Sequence, residues 1–320
     1  MILIIHMLLP LTGCGDEEKI SKELNIRLGW QANANSAGQI VALEKGYYAR
    51  RGLKVNLYPG GLTNPSIQTV GSGKDNIGFA NSPNQVIKAR EAGVPLRIIA
   101  VIHQQGYHAF FSRQSAAIRT PQDWMGKRVG IKHGSPTYLY YLSTLRKFSI
   151  DRSTITEIPV KYDLLAFLEG NLDVYPGAIT NEGVSLELQG LALSRLTMED
   201  LGIRTWGNVI FTSEKMLREN WKEVRQFIVA TLEGWSYCFE KNHEQEVMIY
   251  LKKHMDKMNL DKERRALELT NDLIRKRSPG SINLEDLQWI ISHMHENGEL
   301  KTPMDPSEVM DGSIMESILP

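Results

Sequence analysis

From Leu24 onward, apolar and polar positions alternate in two distinct periods. Leu24, Ile26 and Leu28 are separated by polar residues, the period of a half-buried strand, and Ile40, Leu43 and Tyr47 then recur at helical spacing. The unit repeats, with strands expected at residues 55–58, 76–80 and 96–102 and helices at 64–70 and 83–92. A second set begins near residue 113. It opens on a capped helical turn at 120–124, with Thr120 as cap and Pro121 at the first helical position. Strands are expected at 127–132, 157–160 and 172–175, with helices at 137–148 and 164–169 between them. After Trp206 one more strand reads at 209–212, and everything beyond Ser213 is helical in pattern, most clearly over the amphipathic stretch 221–240. Such alternation predicts an α/β chain with a largely parallel sheet.

Length sharpens this picture. Single cores stop growing at about 250–300 residues, so a chain of 320 favours two lobes with a cleft between them. No stretch rich in Gly, Ser or Pro separates the two sets, as expected where the chain crosses between lobes more than once. With 37 basic and 37 acidic residues the chain has no global field to hold a phosphate backbone, and no local basic patch stands out, so nucleic acid is excluded as a partner.

Cys14 and Cys238 are too few for a disulfide framework and lack zinc-ligand spacing. The apolar run 1–14 is too short to span a bilayer, since a helix needs about 20 residues, and reads as the hydrophobic region of a signal peptide. It ends in Leu11-Thr12-Gly13-Cys14, which resembles a bacterial lipobox, although no Lys or Arg precedes the cysteine. The polar stretch 15–23 then reads as a tether, and Cys14 as the site of lipidation that would hold the domain outside the cytoplasm.

In open α/β sheets ligands bind beyond the carboxyl ends of the strands, so the loops there hold the candidate site. Five of them carry unusual residues: 29–36, 60–65, 81–84, 132–137 and 175–183. Trp30 and Tyr175 offer flat faces for stacking, and Asn33, Asn35, Asn81, Ser82 and Asn181 offer neutral donors and acceptors. Glu182 could accept from an amino group, Tyr107 lies on the crossover, and Gly134, Ser135 and Thr137 form a turn able to present N–H and hydroxyl groups. Each has a bland alternative as a cap, turn or surface residue; their coincidence on five strand ends points to a small, planar, polar ligand. His103 and His108 lack a matched carboxylate or cysteine and read as crossover residues, while His293 and His295 read as a solvated helix face. No cofactor or metal is expected.

The phrases Gly46-Tyr47-Tyr48-Ala49-Arg50-Arg51-Gly52-Leu53, Thr63-Asn64-Pro65-Ser66, Gly71-Ser72-Gly73-Lys74-Asp75-Asn76-Ile77-Gly78 and Ala89-Arg90-Glu91-Ala92-Gly93-Val94-Pro95 stand in an order that resembles a known family. It is the thiamine-pyrimidine-precursor type of solute-binding protein of ABC importers, akin to the alkanesulfonate, taurine and nitrate binders. The likeness covers roughly residues 24–245. It implies a type II periplasmic-binding-protein fold, with lobe one at 24–112 and 207–320, lobe two at 113–206 and the ligand between them. It also implies a monomer that hands its ligand to an ABC permease and ATPase, with riboflavin or an alkanesulfonate-like anion as alternative ligands. The same superfamily contains fungal pyrimidine synthases, whose lysine and histidine positions here read Ala80 and Asn84 and whose cysteine-rich run is replaced by Trp206-Gly207-Asn208-Val209. A Schiff base needs a lysine amine, so that activity is not expected. A deaminase or lyase using His108 or His133 lacks a nucleophile–base pair, and a ligand sensor on the same fold is the remaining alternative.

Overall fold

In the computed structural model, which describes residues 22–319, Leu24 and Ile26 are fully buried on strand β1 (Lys22–Arg27) while Lys22 and Glu23 face solvent. The strand thus begins two residues inside the expected tether, and the lipidation site Cys14 lies outside the described residues. Behind β1, Asn33 and Ser36 cap each other's backbone N–H groups and turn the chain into α1 (Ala37–Glu44). Two further βα units and a strand follow the expected order: β2 (Leu53–Tyr58), α2 (Ser66–Gly71), β3 (Ile77–Ala80), α3 (Pro83–Glu91) and β4 (Leu96–Val101).

The chain then crosses into the second lobe. There it forms β5 (His108–Arg113), β6 (Arg128–Ile131), α4 (Pro136–Lys147), β7 (Thr156–Pro159), α5 (Leu165–Leu168), β8 (Tyr175–Ala178), α6 (Val184–Glu187) and β9 (Leu193–Thr197). The capped turn at Pro121–Trp124 is present, with Thr120 and Asp123 closing a capping box. Two strands of this lobe escaped the alternation pattern. β5 is buried on both faces except at Arg113 and shows no period of two, and β9 is a half-buried strip that pairs with β5. The strand expected at 172–175 lies three residues further on, because Tyr175–Ala178 is the segment that pairs with β5.

Strand β10 (Val209–Ser213) returns to the first lobe, completing a five-stranded sheet of order β2-β1-β3-β10-β4. It runs antiparallel to both neighbours, so the sheet is mixed rather than uniformly parallel. The reason is directional: β3 and β4 end at the crossover side, and a chain coming back from the other lobe must enter there and run away from it. The second lobe is mixed as well, with an antiparallel β8-β5-β9 sheet beside a parallel β6-β7 pair. Helices α7 (Glu214–Cys238), α8 (Glu244–Lys253), α9 (Leu260–Ile274), α10 (Leu284–Glu296), α11 (Pro306–Val309) and α12 (Ser313–Glu316) then complete the first lobe. His293 on α10 is not a free surface residue, since it stacks on Trp289 with ring centroids 4.5 Å apart.

Each lobe has its own apolar clusters. In the first, α1 lies against α7 so closely that Gly38 and Gly234 meet: a Cβ on Gly234 would sit 2.0 Å from the Gly38 carbonyl oxygen. Several contacts tie the lobes together across the cleft, three of them beside the strand-end loops. Ser82 Oγ lies 3.0 Å from the Tyr140 hydroxyl, Asn35 Nδ2 donates to Thr180 Oγ1 at 3.1 Å, and the Trp30 and Tyr162 rings meet at 5.0 Å.

Candidate functional site

Five strand ends and both crossovers converge on one cavity of about 110 Å³ between the lobes. Trp30, which follows β1, forms part of its wall from the first lobe, and Tyr162, which follows β7, faces it from the second. Tyr107 lines it from the crossover, stacked on His108 at 4.6 Å and donating to Asn208 Oδ1 at 3.0 Å.

Of the residues expected from sequence, Trp30, Asn33, Asn35, Asn81, Tyr107, Ser135, Thr137, Asn181 and Glu182 line this cavity. Ser82, Gly134 and Tyr175 do not. Ser82 is fully buried, caps α3 and bridges to Tyr140. Gly134 instead supplies a left-handed turn, φ +74°, that aims the loop into α4. Tyr175 is buried in the second-lobe core, its hydroxyl donating to the Asp163 carbonyl at 2.9 Å, so its face is covered rather than offered to a ring.

Most of the neutral side chains that do line the cavity are already engaged in shaping it. Asn35 Oδ1 accepts from Thr270 at 2.8 Å while its amide donates to Thr180, and Asn81 donates to the Gly29 carbonyl at 3.0 Å. Asn33 accepts from the Asn35 N–H, Ser135 donates to the Lys132 carbonyl, and Asn181 accepts from Lys262 Nζ at 2.6 Å. These residues hold the loops in place.

The groups with capacity to spare are different ones. Lys132, at the end of β6, is 4% exposed and donates to Glu182 Oε1 at 2.8 Å. Its ammonium also sits over the Tyr175 and Tyr162 rings, 4.5 and 5.0 Å from their centroids. Glu182 Oε2 accepts the Ala178 N–H at 2.9 Å, so neither carboxylate oxygen is left without a partner. Burial works to raise the Glu182 pKa, but the Lys132 charge and these hydrogen bonds outweigh it and hold the carboxyl below its ordinary value. Burial drives His108 the other way, down to about 4, so the imidazole is neutral near pH 7. Its Nδ1 and the Oε1 of buried Gln39 have no partner, and both residues line the cavity. Lys132 stood inside an expected loop, yet nothing local distinguishes a buried lysine from a solvated one. Gln39 lies on a helix whose period marks it only as core-facing.

Among the described residues no group of three or more His, Cys, Asp or Glu side chains is placed to hold a metal, and no helix is long and apolar enough to cross a membrane. The family model described as NMT1/THI5 like matches residues 33–245, a stretch that supplies most of the cavity lining but not Trp30. The chain belongs to this family.

Two relatives and one solved structure are similar to the chain. The chain is 26% identical over 218 residues to the riboflavin-binding protein RibY of Chloroflexus aurantiacus, covering 67% of this chain and 61% of that protein. The match therefore spans less than two thirds of that relative. To the formylaminopyrimidine-binding protein of Halalkalibacterium halodurans it is 26% identical over 250 residues, covering 76% of this chain and 74% of the relative. The solved periplasmic aliphatic sulphonate binding protein of Escherichia coli superposes with a TM-score of 0.72 at 18% identity, over 90% of this chain and 97% of that one. This last likeness is one of fold, and it agrees with the two-lobed architecture expected from the sequence.

Proposed function

We propose that the protein is an extracytoplasmic solute-binding component of an ABC importer that captures a small, planar, uncharged nitrogen heterocycle, a thiamine pyrimidine precursor before riboflavin. The observation that carries this reading is the size and lining of the cavity. An apolar cavity of about 150 Å³ is enough to hold benzene, so the inner part of the site, about 110 Å³, is of one-ring size and opens beside Trp30, Asn33 and Asn181 onto a wider groove of about 650 Å³. Trp30, Tyr107 and Tyr162 supply aromatic faces, while Gln39 and His108, each with a buried polar atom left unpartnered, line the same cavity. The 26% likeness to a formylaminopyrimidine binder supports the same ligand class. In this reading the ligand is returned unchanged to a permease and its ATPase. Cys14, in the lipobox-like run, anchors the domain to the membrane.

Mass spectrometry of whatever copurifies, followed by calorimetric titration with 4-aminopyrimidine and riboflavin, tests it. The expected outcome is a one-ring aminopyrimidine in the copurified fraction, with Trp30→Ala weakening its binding by about 0.5–1.5 kcal/mol of lost stacking. Tight riboflavin binding with no response to aminopyrimidines would overturn the pyrimidine assignment.

A further inference from the structure

The cavity wall contains three ionisable side chains besides its tyrosines: Lys132, Glu182 and His108. The lysine and the carboxylate form a buried pair at 2.8 Å, with side-chain exposures of 3% and 9%, and the histidine is uncharged near neutral pH. The lining therefore sums to zero charge, although it is built on a fold that also serves a sulphonate binder. Bringing an ion into such a cavity strips its hydration and offers no unmatched counter-charge in return. A neutral molecule meets no such barrier. Among the described residues Glu182 is the one hydrogen-bond acceptor for the Lys132 ammonium, which has three N–H groups. The Tyr175 and Tyr162 rings that flank the ammonium are only weak acceptors, so a remaining N–H can be given to an acceptor such as a ring nitrogen or carbonyl.

We propose that the Lys132–Glu182 pair is the charge filter of this site: Glu182 acts by neutralising Lys132, so that the lysine serves as a hydrogen-bond donor to an uncharged ligand and not as an anion receptor. The proposal rests on the solute-binding reading above. It assigns the carboxylate to the lysine, in place of the direct contact with a ligand amino group expected from sequence. It also assigns specificity to Lys132, which the motifs did not single out. Removing either charge should hand the cavity to ions opposite in sign to the charge that remains.

The test compares the wild type, Glu182→Gln and Lys132→Gln by calorimetry at mildly alkaline pH. The probes are 4-aminopyrimidine, uncharged there, methanesulfonate and benzamidinium. Glutamine keeps a hydrogen-bonding amide in place of each charge. The wild type should refuse both ions. Glu182→Gln should gain at least about tenfold in methanesulfonate affinity, and Lys132→Gln about tenfold in benzamidinium affinity, as expected when a charge-assisted hydrogen bond becomes available. The double variant Lys132→Gln/Glu182→Gln should again refuse methanesulfonate. Thermal melts establish which variants are folded, and either single variant suffices to decide the sign. Wild-type binding of methanesulfonate overturns the proposal, as does a folded single variant that gains no affinity for its ion. If the wild type binds no flat heterocycle at all but the charge swap still switches ion preference, the solute class proposed above fails while the filter stands.

Discussion

His103 shows how one residue can tie stability to pH. It is fully buried between the rings of Tyr107 and Trp235, with centroids 5.3 and 6.1 Å away, and neither ring nitrogen has a partner. Burial pushes its pKa down to about 3. A histidine depressed in the folded state contributes stability that is complete above its unfolded pKa of about 6.5 and is lost as pH falls toward the folded value. His103→Phe keeps a ring and removes both unsatisfied nitrogens. Its stability at pH 7 should equal or exceed that of the parent, and the parent's extra loss on going to about pH 4.5 should shrink by about 2 kcal/mol. Urea unfolding at the two pH values checks this; an unchanged difference would assign the acid sensitivity to other groups, His108 first.

Between elements, the tightest constraint is the crossing of α1 and α7. Gly38 lies against the Trp235 indole, where a Cβ would come within 2.4 Å of ring carbon, and Gly234 lies against the Gly38 carbonyl. Two effects oppose each other in Gly234→Ala. Helix propensity favours alanine by about 1 kcal/mol, whereas forcing apart two packed helices costs about 1–3 kcal/mol or more. The clash is with backbone, which cannot rotate away, so packing should win and the variant should be destabilised by about 2 kcal/mol. Denaturant titration provides the number. Stability equal to or above the parent would mean that the helices separate freely. Helix α7 was legible in sequence as the clearest amphipathic stretch, yet the glycine contact was not, because its partner lies almost two hundred positions away. The same distinction separates β1, whose alternation announced it, from β5, whose burial on both faces left no period to read.

At the scale of the whole molecule, two lobes joined by two crossovers enclose a neutral cavity, and the proposed anchor would place that assembly at a membrane surface. Two lipid chains hold a protein where one binds only reversibly, so the full-length chain made in a bacterial host should partition into detergent, and Cys14→Ser should move it to the aqueous phase. A free Cys14 thiol in a water-soluble full-length product would remove the anchor from the proposal. By itself the sequence determined what local rules can encode: the βα alternation, the cap at Thr120, the size that calls for two lobes, and most of the strand-end loops that line the cavity. Those signals depend on neighbours a few residues apart, where periodicity and turn chemistry act. Only the tertiary structure decided that β10 enters antiparallel and that Tyr175 packs into the core. The same holds for the asparagines, which hold loops, and for Lys132, which meets Glu182 fifty residues away. Each of these depends on which distant groups share a buried volume. There desolvation makes pairing compulsory, and no local pattern records it.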